Sequence, residues 1–289
     1  MLATDGRERS VATGLPSPGR CLVMGILNVT PDSFSDGNLR NTHAEAVEHG
    51  LRLAADGADV VDVGGESTRP GARRVSAAEE YRRVLPVVRE LAAAGVIVSI
   101  DTMRARVAEA AVAEGAAVVN DVSGGLADPD MARFVAGSGV AYVAMHWRGH
   151  SDRMGTRATY ADVVADVVRE LGHRLDALVA AGVSADQVVL DPGLGFDKHP
   201  RHDWALVRNL EALQVWDRPI LLGASRKSLF GPVLVDRSGR VPGPARRDPA
   251  TAALTALAAV HGAYAVRVHD AAASRQAVAV AQAWSEAPR

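Results

Sequence analysis

The chain has few of the features that define disulfide-rich, metal-cluster, membrane or nucleic-acid-binding proteins. One of its 289 residues is cysteine, Cys21, which excludes a disulfide framework, a zinc ribbon and an iron–sulfur cluster. No apolar run approaches the roughly 18 residues of a membrane-spanning helix, and the polar N-terminus lacks the apolar core of a signal peptide. The 32 Lys and Arg residues nearly balance the 34 Asp and Glu residues, so no long-range field attracts nucleic acid or an anionic membrane. We therefore expect a cytoplasmic protein that binds neither nucleic acid nor membrane.

Short apolar runs rich in β-branched residues alternate with longer amphipathic segments along the chain. The near-continuous apolar character of these runs is typical of parallel strands buried on both faces. Two S/T-x-x-E pairs, Thr42 with Glu45 and Ser76 with Glu79, predict helix starts. The eight runs begin at Leu22, Ala58, Val96, Ala116, Val140, Gln187, Pro219 and Ala263.

Eight strands alternating with eight helices predict an α/β protein with a single-domain (β/α)8 TIM barrel over residues 21–289. Residues 1–20, which contain Gly14, Pro16 and Pro18, are predicted to form a flexible N-terminal arm. An open, doubly wound sheet is the alternative fold. The first turn contains no G-x-G-x-x-G sequence, which counts against that alternative.

Polar side chains follow the predicted strands, at the end of a barrel where active sites are built. Asp101, Asn120 and Asp191 end three of the strands, so their side chains are expected to converge on one cavity. This set is rich in hydrogen-bond acceptors and suits a flat heterocycle with several N–H donors, such as a guanine-like or pterin ring. Asp121 and Asp270 occupy similar positions, but capping of the following helix explains them equally well.

A second group of strand-end residues is basic. Lys227, Arg267 and His269 follow the seventh and eighth strands, where barrels commonly bind a phosphate group. Arginine offers a fork of donors to phosphate oxygens, and lysine offers a compact charge. The alternatives are a Schiff base on Lys227 and a rim salt bridge of Arg267. A metal site at His146 and His150 is disfavoured, because the pair does not share a helix face.

Seven segments, each at a predicted strand end, resemble the dihydropteroate synthase family. In chain order they are GILNVTPDSFSDG (25–37), DVGGESTRPGA (62–72), SIDT (99–102), NDVSGG (120–125), DPGLGF (191–196), GASRKS (223–228) and RVHD (267–270). The resemblance implies a transferase of folate biosynthesis that joins 6-hydroxymethyl-7,8-dihydropterin diphosphate to p-aminobenzoate, forming 7,8-dihydropteroate and pyrophosphate. It also implies a homodimer that uses Mg²⁺ and is inhibited by sulfonamides, which mimic p-aminobenzoate.

The resemblance further implies roles for individual residues. The pterin diphosphate is expected to contact Thr68, Asp101, Asn120, Asp191, Lys227, Arg267 and His269, whereas p-aminobenzoate is expected to contact Ser225, Arg226, Pro70, Thr68, Phe34 and Phe196. The expected catalytic residues are Lys227, Arg267, His269, Asp101 and Asp36, and the expected Mg²⁺ ligand is Asn28. Phe34, Asp36 and Arg69 fall on two loops that are expected to close over the substrates.

These residues favour a dissociative displacement as the mechanism. Arg267, Lys227 and His269 would stabilise the departing diphosphate together with Mg²⁺. Asp101 and Asp191 would hold the pterin ring and favour its positive charge, and an aniline-type amine needs no strong base. Two alternatives are a non-catalytic pterin-binding paralogue and a pterin-binding methyltransferase module. Neither of them needs residues that bind a metal ion and a diphosphate.

Two features do not follow from the family pattern. Gly37 is followed by Asn38 where the family usually has a second glycine, which predicts altered mobility of that loop. The segment MHWRGHSDRMGTRATY (145–160) contains more Arg and His than the expected reaction uses. No role for this segment follows from the sequence.

Overall fold

The computed structural model describes residues 13–30, 39–67, 74–149 and 158–288, with side chains from residue 43 in the second range. The expected site residues Phe34, Asp36, Thr68 and Pro70, together with Arg69, lie outside these ranges.

Eight parallel strands form one sheet in the described part of the chain. They are β1 (Leu22–Asn28), β2 (Val60–Gly64), β3 (Val98–Asp101), β4 (Val118–Asp121), β5 (Ala141–Met145), β6 (Val188–Asp191), β7 (Leu221–Leu222) and β8 (Ala265–Val268). Their order is β6-β5-β4-β3-β2-β1-β8-β7, and a parallel bridge between Leu190 and Ile220 joins the two ends of the sheet. The (β/α)8 barrel is therefore confirmed, and the open sheet is excluded.

Helices cover the outside of the barrel and alternate with the strands. They are α1 (Leu39–Ala55), α2 (Ala77–Ala93), α3 (Ala105–Ala113), α4 (Met131–Ser138), α5 (Val163–Ala180), α6 (Pro200–Arg208), α7 (Asp248–Val260) and α8 (Ala271–Glu286). Ser76 caps α2 as predicted, since its hydroxyl accepts a hydrogen bond from Glu79 N at 3.2 Å. The predicted start of α1 at Thr42 was wrong, because the helix begins at Leu39 and a local capping pattern does not prevent an earlier start. None of the described helices combines the length and apolar character needed to cross a bilayer.

The interior of the barrel changes from apolar to polar along the strands. Side chains two residues apart on a strand point to the same face. The interior apolar cluster, which includes Val60, Val118 and Val189, lies toward the N-terminal ends of the strands. Two residues further along each of these strands stand Asp62, Asn120 and Asp191, all buried. The barrel interior is therefore apolar toward the N-terminal ends of the strands and polar toward their C-terminal ends. The polar layer is here called the floor of the site.

Residues 13–20 lie against the opposite, N-terminal end of the barrel. The Tyr264 hydroxyl donates to the Pro16 carbonyl at 3.1 Å, and the Thr13 N–H donates to the Asp186 carbonyl at 2.8 Å. Arg20 forms a two-bond ion pair with Asp59, with N–O distances of 2.7 and 2.6 Å. The flexibility expected of the arm stays a prediction, because residues 1–12 are outside the described part.

Candidate active site

The polar floor is organised around Arg267 of β8. Its Nε donates to Asp62 Oδ2 on β2 at 2.6 Å, and its terminal NH2 nitrogen donates to Asp101 Oδ2 on β3 at 2.7 Å. Asn120 on β4 donates through Nδ2 to the same Asp62 oxygen at 2.9 Å. Four strands thus each contribute one interior side chain, and parallel pairing brings their C-terminal ends to one level.

Burial and the neighbouring charges shift the pKa values of this group. Desolvation raises the pKa of Asp101 to about 7, against the opposing attraction of Arg267. Burial lowers the pKa of Arg267, but the Asp62 and Asp101 carboxylates outweigh this effect and hold it above its ordinary value. The second oxygen of Asp62, Oδ1, is buried and has no hydrogen-bond partner among the described residues. The floor therefore contains more acceptors than its own donors satisfy.

Asp191 and Lys227 form the second half of the floor. Asp191 Oδ1 accepts from Gly193 N at 2.7 Å, and Lys227 donates through Nζ to the Leu194 carbonyl. Burial lowers the pKa of Lys227 to about 8, although Asp191 favours its charge. A Cβ placed on Gly223 would lie 3.8 Å from both Asp191 Oδ2 and Lys227 Nζ. The absence of a side chain at Gly223 therefore leaves open space between the carboxylate and the ammonium.

Ser225 and His269 adjoin this group at the ends of β7 and β8. The Ser225 Oγ accepts from His269 N at 3.2 Å and lies 2.9 Å from His269 Nδ1. The Ser225 hydroxyl can donate to Nδ1 or accept from Nδ1–H, so this contact engages Nδ1 in either ring tautomer. The Nε2 atom of His269 is not part of this contact.

Arg226 is held by a different set of contacts. Its backbone has φ 60°, in the left-handed region, and its side chain makes two bonds of 2.7 Å to Asp248. Such a backbone persists at a non-glycine residue only where the surroundings enforce it. Arg226 lies beside Ser225, as expected, but its guanidinium is engaged by α7.

The structure brings together most of the described residues expected at the site. Asp101, Asn120, Asp191, Lys227 and Arg267 form the floor, Ser225 and His269 adjoin it, and the Phe196 ring centroid lies 4.7 Å from Lys227 Nζ. Asn28 ends β1 at the same end of the barrel, where it pairs in register with Gly64. The roles expected of these residues stay predictions.

Asp121 and Asp270 have structural roles instead. Asp121 accepts hydrogen bonds from the backbone N–H groups of Ser123 at 2.7 Å and Gly125 at 2.8 Å, and from the Tyr142 hydroxyl at 2.9 Å. Asp270 caps α8 by accepting from Ala273 N at 2.9 Å. Helix capping, the alternative left open by the sequence, is the role that the structure shows for Asp270, whereas Asp121 instead holds the turn at residues 123–125, well before α4 begins at Met131.

Asp62 is the site residue to which the sequence patterns assigned no role. It is fully buried, and it binds both Arg267 and Asn120. One signal was available, because Asp62 interrupts the apolar run ADVVDVG at a position of interior parity.

Comparisons with known proteins agree with this geometry. The pterin binding enzyme family matches residues 24–269. The dihydropteroate synthase of Mycobacterium leprae is 54% identical over 266 residues, covering 92% of this chain and 94% of that protein. The Xanthomonas albilineans dihydropteroate synthase structure with 4-aminobenzoic acid has a TM-score of 0.85 and 43% identity, covering 93% of this chain and 94% of that one. The Yersinia pestis dihydropteroate synthase structure with a sulfonamide drug has a TM-score of 0.87 and 38% identity, covering 94% and 97%.

Proposed function

The chain belongs to the dihydropteroate synthase family of pterin-binding enzymes, and from this premise we propose a Mg²⁺-assisted dissociative displacement as its mechanism. Family membership makes it a transferase of folate biosynthesis. Its substrates are 6-hydroxymethyl-7,8-dihydropterin diphosphate and p-aminobenzoate. The observation that carries the proposal is the buried floor, in which three carboxylates and an amide surround two cations.

The floor binds the pterin ring through its spare acceptors. Asp101, Asn120 and Asp191 accept from the ring N–H groups, while Gly223 leaves room for the ring edge. The carboxyl groups of Asp62, Asp101 and Asp191 are all buried in this floor. Their oxygens stabilise positive charge that develops on the ring as the leaving group departs.

The cationic residues stabilise the departing diphosphate. The C–O bond breaks with its electron pair going to the diphosphate, the amine lone pair forms the C–N bond, and the new ammonium loses one proton to solvent. His269 donates through Nε2, the ring nitrogen outside the Ser225 contact, and Arg267 donates through the N–H groups that do not bind Asp62 or Asp101. Lys227 adds a positive charge beside Asp191.

Asn28 is suited to hold Mg²⁺ at the mouth of the barrel. Its side chain is partly exposed and forms no hydrogen bond with another described residue. An amide oxygen together with substrate oxygens and water is a usual set of ligands for this ion. When bound, Mg²⁺ would neutralise negative charge on the diphosphate.

The p-aminobenzoate site is proposed at the rim, beside Ser225, Arg226 and Phe196. The structures of relatives with 4-aminobenzoic acid and with a sulfonamide drug support binding of these compounds by this family. Phe34, Asp36, Thr68 and Pro70 complete the proposed substrate sites from outside the described residues. A sulfonamide is expected to inhibit competitively with p-aminobenzoate, and inhibition independent of its concentration would contradict the shared site.

The experiment that tests the activity is measurement of pyrophosphate release with Mg²⁺ while p-aminobenzoate is titrated. Release that saturates with p-aminobenzoate supports the synthase. Pterin binding without release that depends on p-aminobenzoate would favour a non-catalytic paralogue. Omission of Mg²⁺ is expected to slow release, because the diphosphate charge is then less neutralised.

A homodimer is also proposed, on the basis of exposed apolar residues on the last two helices. Val280 and Trp284, one turn apart on α8, are 66% and 76% exposed, and Leu257 on α7 is 55% exposed. Apolar residues grouped in this way are typical of interaction surfaces. Sedimentation equilibrium should give twice the chain mass, and Trp284→Ser should weaken the association.

A further inference from the structure

The chain contains only two lysines, Lys198 and Lys227, although 32 of its residues are Lys or Arg. Both lysines donate to carbonyls of the segment 192–199, here called the β6–α6 loop. Lys227 is part of the active-site floor, whereas the proposed reaction gives Lys198 no role. Lys198 is nevertheless buried, with 7% of its surface exposed.

The ammonium group of Lys198 lies at the centre of three acceptors. Its Nζ donates to the carbonyls of Gly193 and Phe196, both at 3.1 Å, and lies 3.0 Å from His146 Nδ1. Three donors on one atom match three acceptors that converge on one point. A guanidinium spreads its donors over a planar fork and does not match this arrangement, which accounts for lysine in a chain that otherwise uses arginine.

The segment 145–160, whose Arg and His residues the expected reaction does not use, supplies side chains that support Lys198. Because His146 Nδ1 faces the ammonium as an acceptor, the ring proton resides on Nε2, which donates to Glu170 Oε2 at 3.0 Å. Arg148 binds both Glu170 oxygens, at 3.1 and 2.5 Å. Its guanidinium carbon lies 3.9 Å from the Tyr160 ring centroid. Lys198, His146, Glu170, Arg148 and Tyr160 are here called the Lys198 cluster.

Side chains bind four of the eight main-chain carbonyls of the β6–α6 loop. Lys198 binds the carbonyls of residues 193 and 196, Lys227 that of Leu194, and the Tyr160 hydroxyl that of Asp197 at 3.1 Å. The loop backbone is left-handed at Gly193, with φ 67°, and at Asp197, with φ 46°. Glycine adopts this conformation freely, but at Asp197 it persists where the surroundings enforce it. The Lys198 cluster supplies part of these surroundings through its contacts with residues 193, 196 and 197.

The pKa shifts of Lys198 and His146 agree with one positive charge shared by these two residues. Burial lowers the pKa of Lys198 to about 7, although Asp203 and Asp191 favour its charge and Lys227 and Arg148 oppose it. Burial and the Lys198 charge lower the pKa of His146 to about 4, against the attraction of Glu170. His146 therefore stays neutral near pH 7 and remains an acceptor for Lys198.

We propose that Lys198, held by His146 and the Glu170–Arg148 pair, is a positioning residue for the pterin diphosphate site. It fixes the β6–α6 loop so that the Leu194 carbonyl engages Lys227 and the Gly193 N–H engages Asp191. This inference rests on the proposed function, since Lys227 and Asp191, which the loop engages, belong to the proposed pterin site. The hydrogen bonds of Lys198 go to His146 and to the loop carbonyls of Gly193 and Phe196, not to the floor residues, so it acts through the loop.

The test compares Lys198→Met with Gln187→Met, a matched control at the opposite end of β6. Gln187 is also buried, and it also donates to two main-chain carbonyls, those of Val135 at 3.1 Å and Val140 at 2.9 Å. Lys198→Met is expected to raise KM for the pterin diphosphate at least about tenfold, because small displacements of positioning groups are costly. KM for p-aminobenzoate should rise by a smaller factor, because Phe196 is the one residue of the loop proposed beside p-aminobenzoate. Gln187→Met should lower Tm and leave both KM values unchanged.

An unchanged pterin KM in Lys198→Met would overturn the proposal, even if its kcat or Tm falls. A lower Tm alone would match the control. If Lys198→Met does not fold, a second variant, Glu170→Gln, on the surface side of the cluster, tests the same proposal. It should raise the pterin KM by a smaller factor, and an unchanged KM would overturn the inference. The wild-type enzyme is assayed in parallel, because absence of pyrophosphate release there would refute the proposed function rather than the role of Lys198.

Discussion

Removal of the Asp62 carboxylate tests whether the ion pair in the barrel interior organises the active site. In Asp62→Ala, Arg267 loses one of its two carboxylate partners, and the buried Asn120 amide loses its acceptor. Breaking one side of a buried pair costs about 3–5 kcal/mol. The Asp62 side chain is fully buried but that of Arg267 is 20% exposed, so water at the mouth offsets part of the cost. We therefore expect a loss near the lower limit, about 3 kcal/mol.

Asp62→Asn separates the charge from the hydrogen bonds. The amide oxygen can replace Oδ2 and accept from both donors, while its NH2 group takes the position of the unpartnered Oδ1. Loss of the charge assistance corresponds to about 1 kcal/mol, and the buried NH2 group without an acceptor adds about 1–3 kcal/mol. Activity should still fall by about tenfold or more, because the floor loses the negative charge that favours a cationic ring.

The assay combines urea unfolding with pyrophosphate release, and Asp59→Ala is the matched control. Asp59 lies just before β2 and pairs with Arg20 at the opposite end of the barrel. Its loss should destabilise the protein while kcat/KM of the remaining folded enzyme stays at the wild-type value. The reasoning is refuted if Asp62→Ala unfolds within about 0.5 kcal/mol of wild type, or if Asp59→Ala impairs catalysis as strongly as Asp62→Asn.

Three further variants test other parts of the site. Lys227→Ala should reduce kcat by about 10²-fold, as loss of a preorganised charge contact does, and an unchanged kcat/KM would refute its role. Asp191→Asn keeps the side-chain shape but removes the charge beside Lys227, so pterin affinity should fall; native affinity in calorimetry would contradict this. His146 has its pKa lowered from 6.5 to about 4, so the unfolded chain binds the proton more readily, and the contribution of His146 to stability should be fully present above pH 6.5 and be lost as the pH falls toward 4. His146→Gln should flatten this decline in urea unfolding, and a slope equal to wild type would exclude His146 as its cause.

Much of the barrel was predictable from local patterns. Near-continuous β-branched runs such as those starting at Leu22 and Val96 predict strands because both faces of a parallel strand are buried. Ser76 was correctly placed as a cap because its hydrogen bond is to a residue three positions away. The start of α1 was missed by three residues, since a capping pattern at Thr42 is also compatible with the interior of a helix.

The sequence by itself determined the number of strands, the polar character of their C-terminal ends and the family. It did so because these properties depend on residue order and on spacing within short segments. Only the tertiary structure decided which polar groups meet. Arg267 and Asp62 are 205 residues apart in the chain, and Lys198 and His146 are 52 apart. Barrel closure and strand register create these contacts, so Asp121 and Asp270 became structural groups while Asp62 became the anchor of the floor.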